Sequence, residues 1–308
     1  MKFQAGNVVS QGDKLPVVFT AFALIIAAAF LHATWNLFAK VSKDTIALMW
    51  WATLIGTLGY GLLPLAGPGI FLDSRSWLPF LVSAAAETGY FVTLVRGYSQ
   101  SDLSLVYPIS RGFAPVIAVL LSAALLGERL SWFGYFGICL MVAAVYICSL
   151  PVDRLRNKLT ISTAVAPFRN IAAGWSLASA LFIAIYSLSD KVAVTATPPV
   201  IYNWWVFFGN TFLWMPVVWR RLPLRGNFVE LRNNWRGVLV TSIMMVSAYA
   251  AALVALGLTS ASYVVAGRGL SVVIGAVFGA LILKEGFGSV RILGAVLMVT
   301  GLALIAFA

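Results

Sequence analysis

Apolar runs long enough to cross a bilayer alternate with short polar stretches along the whole chain. They fall at about 17–39, 45–66, 77–97, 103–126, 131–150, 171–192, 198–219, 236–257, 261–283 and 288–307. About 20 residues at 1.5 Å rise cover a hydrocarbon layer of roughly 30 Å. Lipid offers backbone groups no hydrogen-bond partner, so each run is predicted to be a helix that satisfies its own amides. The pattern therefore predicts an all-α polytopic membrane protein with ten transmembrane helices. The sizeable connections are 151–170 and 220–236.

The runs repeat. PISRGFAPVIAVLLSAALLGERLSWFGYFGICLMVAAVYI in the first half is answered by VAGRGLSVVIGAVFGALILKEGFGSVRILGAVLMVTGLALI in the second. Arg111-Gly112 falls on Arg268-Gly269, Glu128 on Glu285, Gly137 on Gly294 and Met141 on Met298, all at one offset of 157 residues. HATWNLFAK (32–40) matches IAIYSLSDK (183–191) more weakly, and TGY (88–90) matches SAY (247–249). The expected layout is an N-terminal tail at 1–16, a five-helix repeat at 17–150, an inter-repeat loop at 151–170 and a second five-helix repeat at 171–308. An odd number of crossings per repeat turns the second copy over, which makes the pair inverted repeats of the kind found in secondary transporters.

Composition sharpens this. At 61% hydrophobic and 10% charged residues, the chain carries too much apolar surface for a water-soluble domain. Its net charge of +11 sits in short loops, where it orients helices rather than forming a nucleic-acid face, so the lipid bilayer is the expected partner and nucleic acid is not. Loops on the side opposite the N-terminus hold fourteen Lys and Arg against five on the N-terminal side, which by itself places both termini outside the cytoplasm. The polar start and the full-length first run do not read as a signal peptide. Cys139 and Cys148 are about 13 Å apart along one predicted helix, too far for a disulfide.

A charge in mid-span costs a few kcal/mol and needs a partner or a purpose. Glu87 in span 3, Arg111 in span 4 and Arg268 in span 9 qualify. Glu87 and Arg111 can neutralise each other, which leaves Arg268 without an acid. His32, Trp35 and Asn36 share one face of span 1 at i, i+3, i+4. His32 reads as a hydrogen-bonded packing residue or as a proton carrier. Glu128 and Glu285 fall at helix ends and are expected to cap free N–H groups. Pro108 and Pro115 flank Arg111 and are expected to break span 4. Gly275 and Gly279 form a GxxxG expected to pack closely, and Gly56, Gly59 and Gly61 are expected to serve packing too. Tyr202, Trp204 and Trp205 read as membrane-boundary aromatics.

The two span ends at Gly127-Glu128 and Lys284-Glu285, each followed at once by a Gly-rich last span, resemble the EamA-type members of the drug/metabolite transporter superfamily, and HATWNLFAK resembles that family's opening helix. The resemblance covers nearly the whole chain. It implies a ten-helix inverted-repeat bundle in the cell inner (cytoplasmic) membrane, with a cavity lined by spans 1, 3, 4, 6, 8 and 9. It also implies transport of small metabolites such as amino acids, more often by export than by uptake. It places both termini in the cytoplasm, against the loop charges. On those cavity-lining spans Tyr90, Tyr107, Tyr186, Tyr249 and Tyr263 add hydroxyls to the set.

The expected substrate follows from charge. Two arginines and one glutamate sum to +1, which leaves a guanidinium for a carboxylate or phosphonate, while Glu87 and the aromatics can hold an ammonium. An organic-cation carrier is the alternative reading, and a membrane-embedded enzyme or a non-transporting scaffold is the further one. No metal, nucleotide or organic cofactor is expected, and there is no HExxH, Cys/His cluster or phosphate loop, so the chain does not read as an enzyme. A monomer or loose dimer is the expected assembly.

Overall fold

The computed structural model describes residues 11–100, 103–149, 171–221, 224–282 and 289–306. Among them there is no strand. The first half contains α1 (Gln11–Val41), α2 (Thr45–Tyr60), α3 (Leu62–Ala66), α4 (Trp77–Tyr98), α5 (Leu103–Leu126) and α6 (Trp132–Ser149). The second contains α7 (Ile171–Ala193), α8 (Pro199–Arg221), α9 (Leu224–Asn233), α10 (Trp235–Leu258), α11 (Ala261–Arg268), α12 (Leu270–Leu281) and α13 (Ser289–Ala306). Six of the described helical stretches are long and apolar enough to cross a membrane: Pro16–Ala39, Thr45–Ala66, Ser74–Gly97, Ile109–Leu126, Ile171–Ala193 and Trp235–Leu258. The chain is therefore a multi-pass membrane protein. Shorter apolar helices cover Trp132–Ala144 and Ala261–Gly275.

Helix ends follow their local chemistry. Asp44 starts α2 by accepting from the Ala47 amide at 3.0 Å, and Ser260 starts α11 by accepting from Tyr263 at 3.4 Å. Glu128 caps, as expected, but across the repeat: its Oε1 accepts from the Ala261 amide at 3.1 Å and its Oε2 from the Ser262 hydroxyl at 3.3 Å, at the start of α11. Lys191 does the converse, donating to the Leu256 and Thr259 carbonyls at 2.6 and 2.7 Å, where the end of α10 is electronegative. Glu285 lies outside the described residues.

The packing pairs α4 with α7, α1 with α10, α6 with α13, and α2 with α8. It also sets α5 on α7 and α12 on α1. Exchanging the two halves maps this set of contacts onto itself. A main core runs through α1, α2, α4, α5, α7, α8 and α10. A second cluster joins α6, α13 and the α11–α12 stretch, and there Met141 and Met298, the residues equivalent in the repeat, are both buried. The α6 and α13 backbones approach closely enough that a Cβ on Gly301 would stand 2.7 Å from the Gly137 carbonyl oxygen. Leu58, Leu62, Leu78, Leu120 and Trp132 are exposed, as side chains that face lipid must be.

Three local expectations are corrected. α5 runs unbroken through Pro108 and Pro115; the interruption lies in the other half, between α11 and α12 at Gly269. There the i→i−4 ladder gives way to i→i−3 bonds, Gly269 N–H to the Ala266 carbonyl and Val272 N–H to the Gly269 carbonyl, both 2.9 Å. Gly275 makes no close approach, since a Cβ there would meet nothing within 4 Å; the Gly279 side lies outside the described residues. Gly59 is equally open, whereas Gly56 and Gly61 do serve contacts, against Val246 and Trp204.

Candidate functional site

Polar groups inside a membrane turn toward one another, and α1, α4, α5, α7, α8, α10 and α11 bring such a set together. His32, Glu87, Arg111, Asp190 and Arg268 are all buried. His32 sits between two donors: the Trp35 indole N–H reaches its Nδ1 at 3.1 Å, and the Arg111 guanidinium faces its Nε2. A neutral imidazole has one acceptor nitrogen, so it satisfies one donor at a time, and a protonated ring would satisfy neither. Asn36 ties the same turn by donating to the His32 carbonyl at 2.7 Å. These bonds follow from the i, i+3, i+4 spacing on α1.

Arg111 also donates to the Tyr90 hydroxyl at 3.1 Å, and its guanidinium carbon lies 5.5 Å from the centre of that ring. Tyr90 and Tyr186 are 6.2 Å apart, centre to centre, and Arg268 lies 5.8 Å from the Tyr186 ring. Two guanidinium groups thus flank a pair of tyrosine rings, one contributed by each half. Tyr186 is also 6.4 Å from Tyr249, which meets Phe207 edge-on at 6.0 Å. Arg268 is 7% exposed and makes no hydrogen bond or ion pair with any described residue. It sits on the last residue of α11, directly before the interruption at Gly269.

Glu87 does not pair with Arg111. It accepts instead from the Asn210 amide of α8, whose Oδ1 lies 3.4 Å from the Thr88 hydroxyl. The expected charge count also changes, because a second carboxylate is present. Asp190 is 1% exposed and accepts from Ser83 at 2.6 Å, Tyr202 at 3.0 Å and Tyr249 at 2.6 Å. Two arginines and two carboxylates sum to zero, so no guanidinium is left over by arithmetic. What leaves Arg268 available is geometry: Asn210 and three hydroxyls occupy the acids.

Of the residues expected from sequence, the structure gathers His32, Trp35, Asn36, Glu87, Tyr90, Arg111, Tyr186, Tyr249 and Arg268 into this region. Tyr263 lies apart, packed on the second cluster. The Tyr107 side chain lies outside the described residues. Asp190, Asn210, Ser83 and Tyr202 were not expected. Tyr202 is corrected from a boundary aromatic to a wholly buried one. Trp204 and Trp205 do sit partly exposed, donating to the Thr57 and Ile70 carbonyls at 3.1 and 2.8 Å. Among the described residues no group of three or more His, Cys, Asp and Glu could hold a metal ion.

The model of the EamA-like transporter family matches residues 19–150 and, a second time, residues 170–307. The chain belongs to the EamA-like transporter family. It is therefore a membrane transporter of the drug/metabolite type, and the two matches fall on the two halves whose contacts interchange. No curated protein matches the chain. A solved structure, titled only as the crystal structure of a protein, aligns over 96% of this chain and 96% of its own with a TM-score of 0.67. At 15% identity that likeness speaks for the fold alone.

Proposed function

We propose that this EamA-like transporter is a secondary carrier of two inverted five-helix repeats, 17–150 and 171–308, joined by the 151–170 loop. It moves a small zwitterionic or anionic metabolite, such as an amino acid, by alternating access, and works as an exporter in the cytoplasmic membrane as a monomer or loose dimer. The interchangeable helix contacts and the odd number of predicted spans per half support the inverted pair.

The observation that carries the substrate reading is the Arg268 guanidinium, nine-tenths buried without a described hydrogen-bond or ion-pair partner and stacked beside Tyr186. A buried charge without such a partner is costly, and a planar fork of five donors recovers that cost on a carboxylate or phosphonate. Glu87, held by Asn210, and the tyrosine rings supply the acid and the π faces for an ammonium at the other end. The test is thermal stabilisation of the purified protein across a metabolite panel, followed by the same screen with Arg268→Gln. The expected result is stabilisation by zwitterionic or anionic compounds that this substitution removes. Stabilisation by quaternary ammonium compounds alone, unchanged by the substitution, favours the organic-cation carrier, the reading that the two buried carboxylates support.

Both termini are placed in the cytoplasm in this reading, in agreement with the family resemblance and against the loop charges. A reporter fused after Ala308 and active only outside the cytoplasm reverses the sidedness and leaves the transport reading standing.

A further inference from the structure

The 220–236 connection contains the short helix α9 and carries Arg220, Arg221, Arg225, Arg232 and Arg236 against one acid, Glu230. That acid is turned inward: it is 7% exposed and accepts from the Ser42 hydroxyl at 2.7 Å and the Asn234 amide at 2.8 Å. The outer face holds the opposite chemistry. Phe228 and Val229 are each 55% exposed, and Arg232, three to four positions on, shares their face and is exposed too. Trp219 and Trp235 stand about half exposed at either end, with the Arg236 guanidinium 5.3 Å from the Trp235 ring. Arg220 and Lys43 are exposed as well.

Neither water nor hydrocarbon suits such a face. Water leaves Phe228, Val229 and the tryptophans hydrated, and the acyl layer strips the arginines. The headgroup layer satisfies both, since the apolar side chains enter the acyl boundary while the guanidinium groups meet phosphate oxygens. Position agrees with this: α9 runs straight into Trp235, where a membrane-crossing stretch begins. We propose that α9 lies on the bilayer surface and binds anionic phospholipid headgroups through Arg232 and Arg236. A soluble acidic partner would match the charge but would leave the apolar residues wet.

The experiment uses the full chain. In detergent, titration with phosphatidylglycerol is expected to raise the unfolding temperature, and phosphatidylcholine is not. Arg232→Gln with Arg236→Gln is expected to unfold at the wild-type temperature without lipid and to bind phosphatidylglycerol about 30-fold more weakly at low salt, at about 1 kcal/mol per arginine. A spin label at Val229→Cys, in a Cys139→Ser, Cys148→Ser background in nanodiscs of both lipids, is expected to meet oxygen more readily than a water-soluble nickel chelate. Equal shifts with the two lipids, an unaltered double variant, or glycerol phosphate alone reproducing the shift overturns the proposal. So does a label that the chelate reaches more readily.

Discussion

Asp190 of α7 accepts a 2.6 Å hydrogen bond from the hydroxyl of Tyr249 on α10, and two further hydroxyls, from α4 and α8, close on the same carboxylate. One buried acid therefore ties four helices from both halves. Asp190→Ala strands three buried hydroxyls at about 1–3 kcal/mol for each that finds no new partner, while Asp190→Asn keeps an acceptor oxygen and can redirect its amide. The expected order of unfolding temperature in detergent is wild type, then Asn, then Ala, with a drop for Ala worth about 3 kcal/mol or more. Equal unfolding temperatures for all three would show that the cluster ties nothing.

The ends of α10 and α11 are held by two charges from elsewhere in the chain. Lys191→Met removes both bonds to the Leu256 and Thr259 carbonyls and is expected to cost about 1–2 kcal/mol. Glu128→Ala uncaps α11 at about 1 kcal/mol. Because both residues pin the single connection between α10 and α11, the double variant is expected to lose less than the sum of the singles. Chemical denaturation of the four proteins checks this, and strict additivity contradicts a shared role.

The glycines separate into two kinds. A Cβ on Gly56 would stand 2.7 Å from Val246 Cγ2, so Gly56→Ala forces α2 and α10 apart and is expected to destabilise by about 1–3 kcal/mol. Gly275 faces open space, and Gly275→Ala is expected to gain up to about 1 kcal/mol from helix propensity. The opposite signs are read from unfolding temperatures under one detergent condition.

Six of the predicted spans and the first-half polar stripe were legible because they depend on local periodicity. A bilayer drives apolar runs into helices, and i, i+3, i+4 spacing puts His32, Trp35 and Asn36 on one face whatever lies opposite. Asp190 was not legible. It stands beside Lys191 near the end of the predicted 171–192 span, at the close of the IAIYSLSDK match, and was not singled out there. α7 continues to Ala193 and carries it inside, to donors on three other helices that no pattern along one segment announces. The break at Gly269 was missed for a related reason. Proline marks where a helix can bend, yet α5 runs whole through two of them, and the interruption falls after Arg268 at Gly269.

The two buried carboxylates also differ in how fully they are occupied, which makes Glu87 the proposed site of any proton coupling. Asp190 has hydroxyl donors on both oxygens, whereas Glu87 has one described donor, the Asn210 amide, on Oε2. An oxygen without a donor can take a proton or an ammonium without first breaking a hydrogen bond. Uptake into proteoliposomes of a ligand found by thermal stabilisation is therefore expected to respond to an imposed pH gradient in the wild type and in Asp190→Asn. Glu87→Gln is expected to lose that response while retaining exchange of labelled for unlabelled ligand at equal pH. His32→Gln keeps an acceptor for Trp35 or Arg111 and is expected to leave the gradient response in place. If a pH gradient changes neither wild-type nor Glu87→Gln rates, the chain is a uniporter or exchanger and Glu87 acts on the substrate alone.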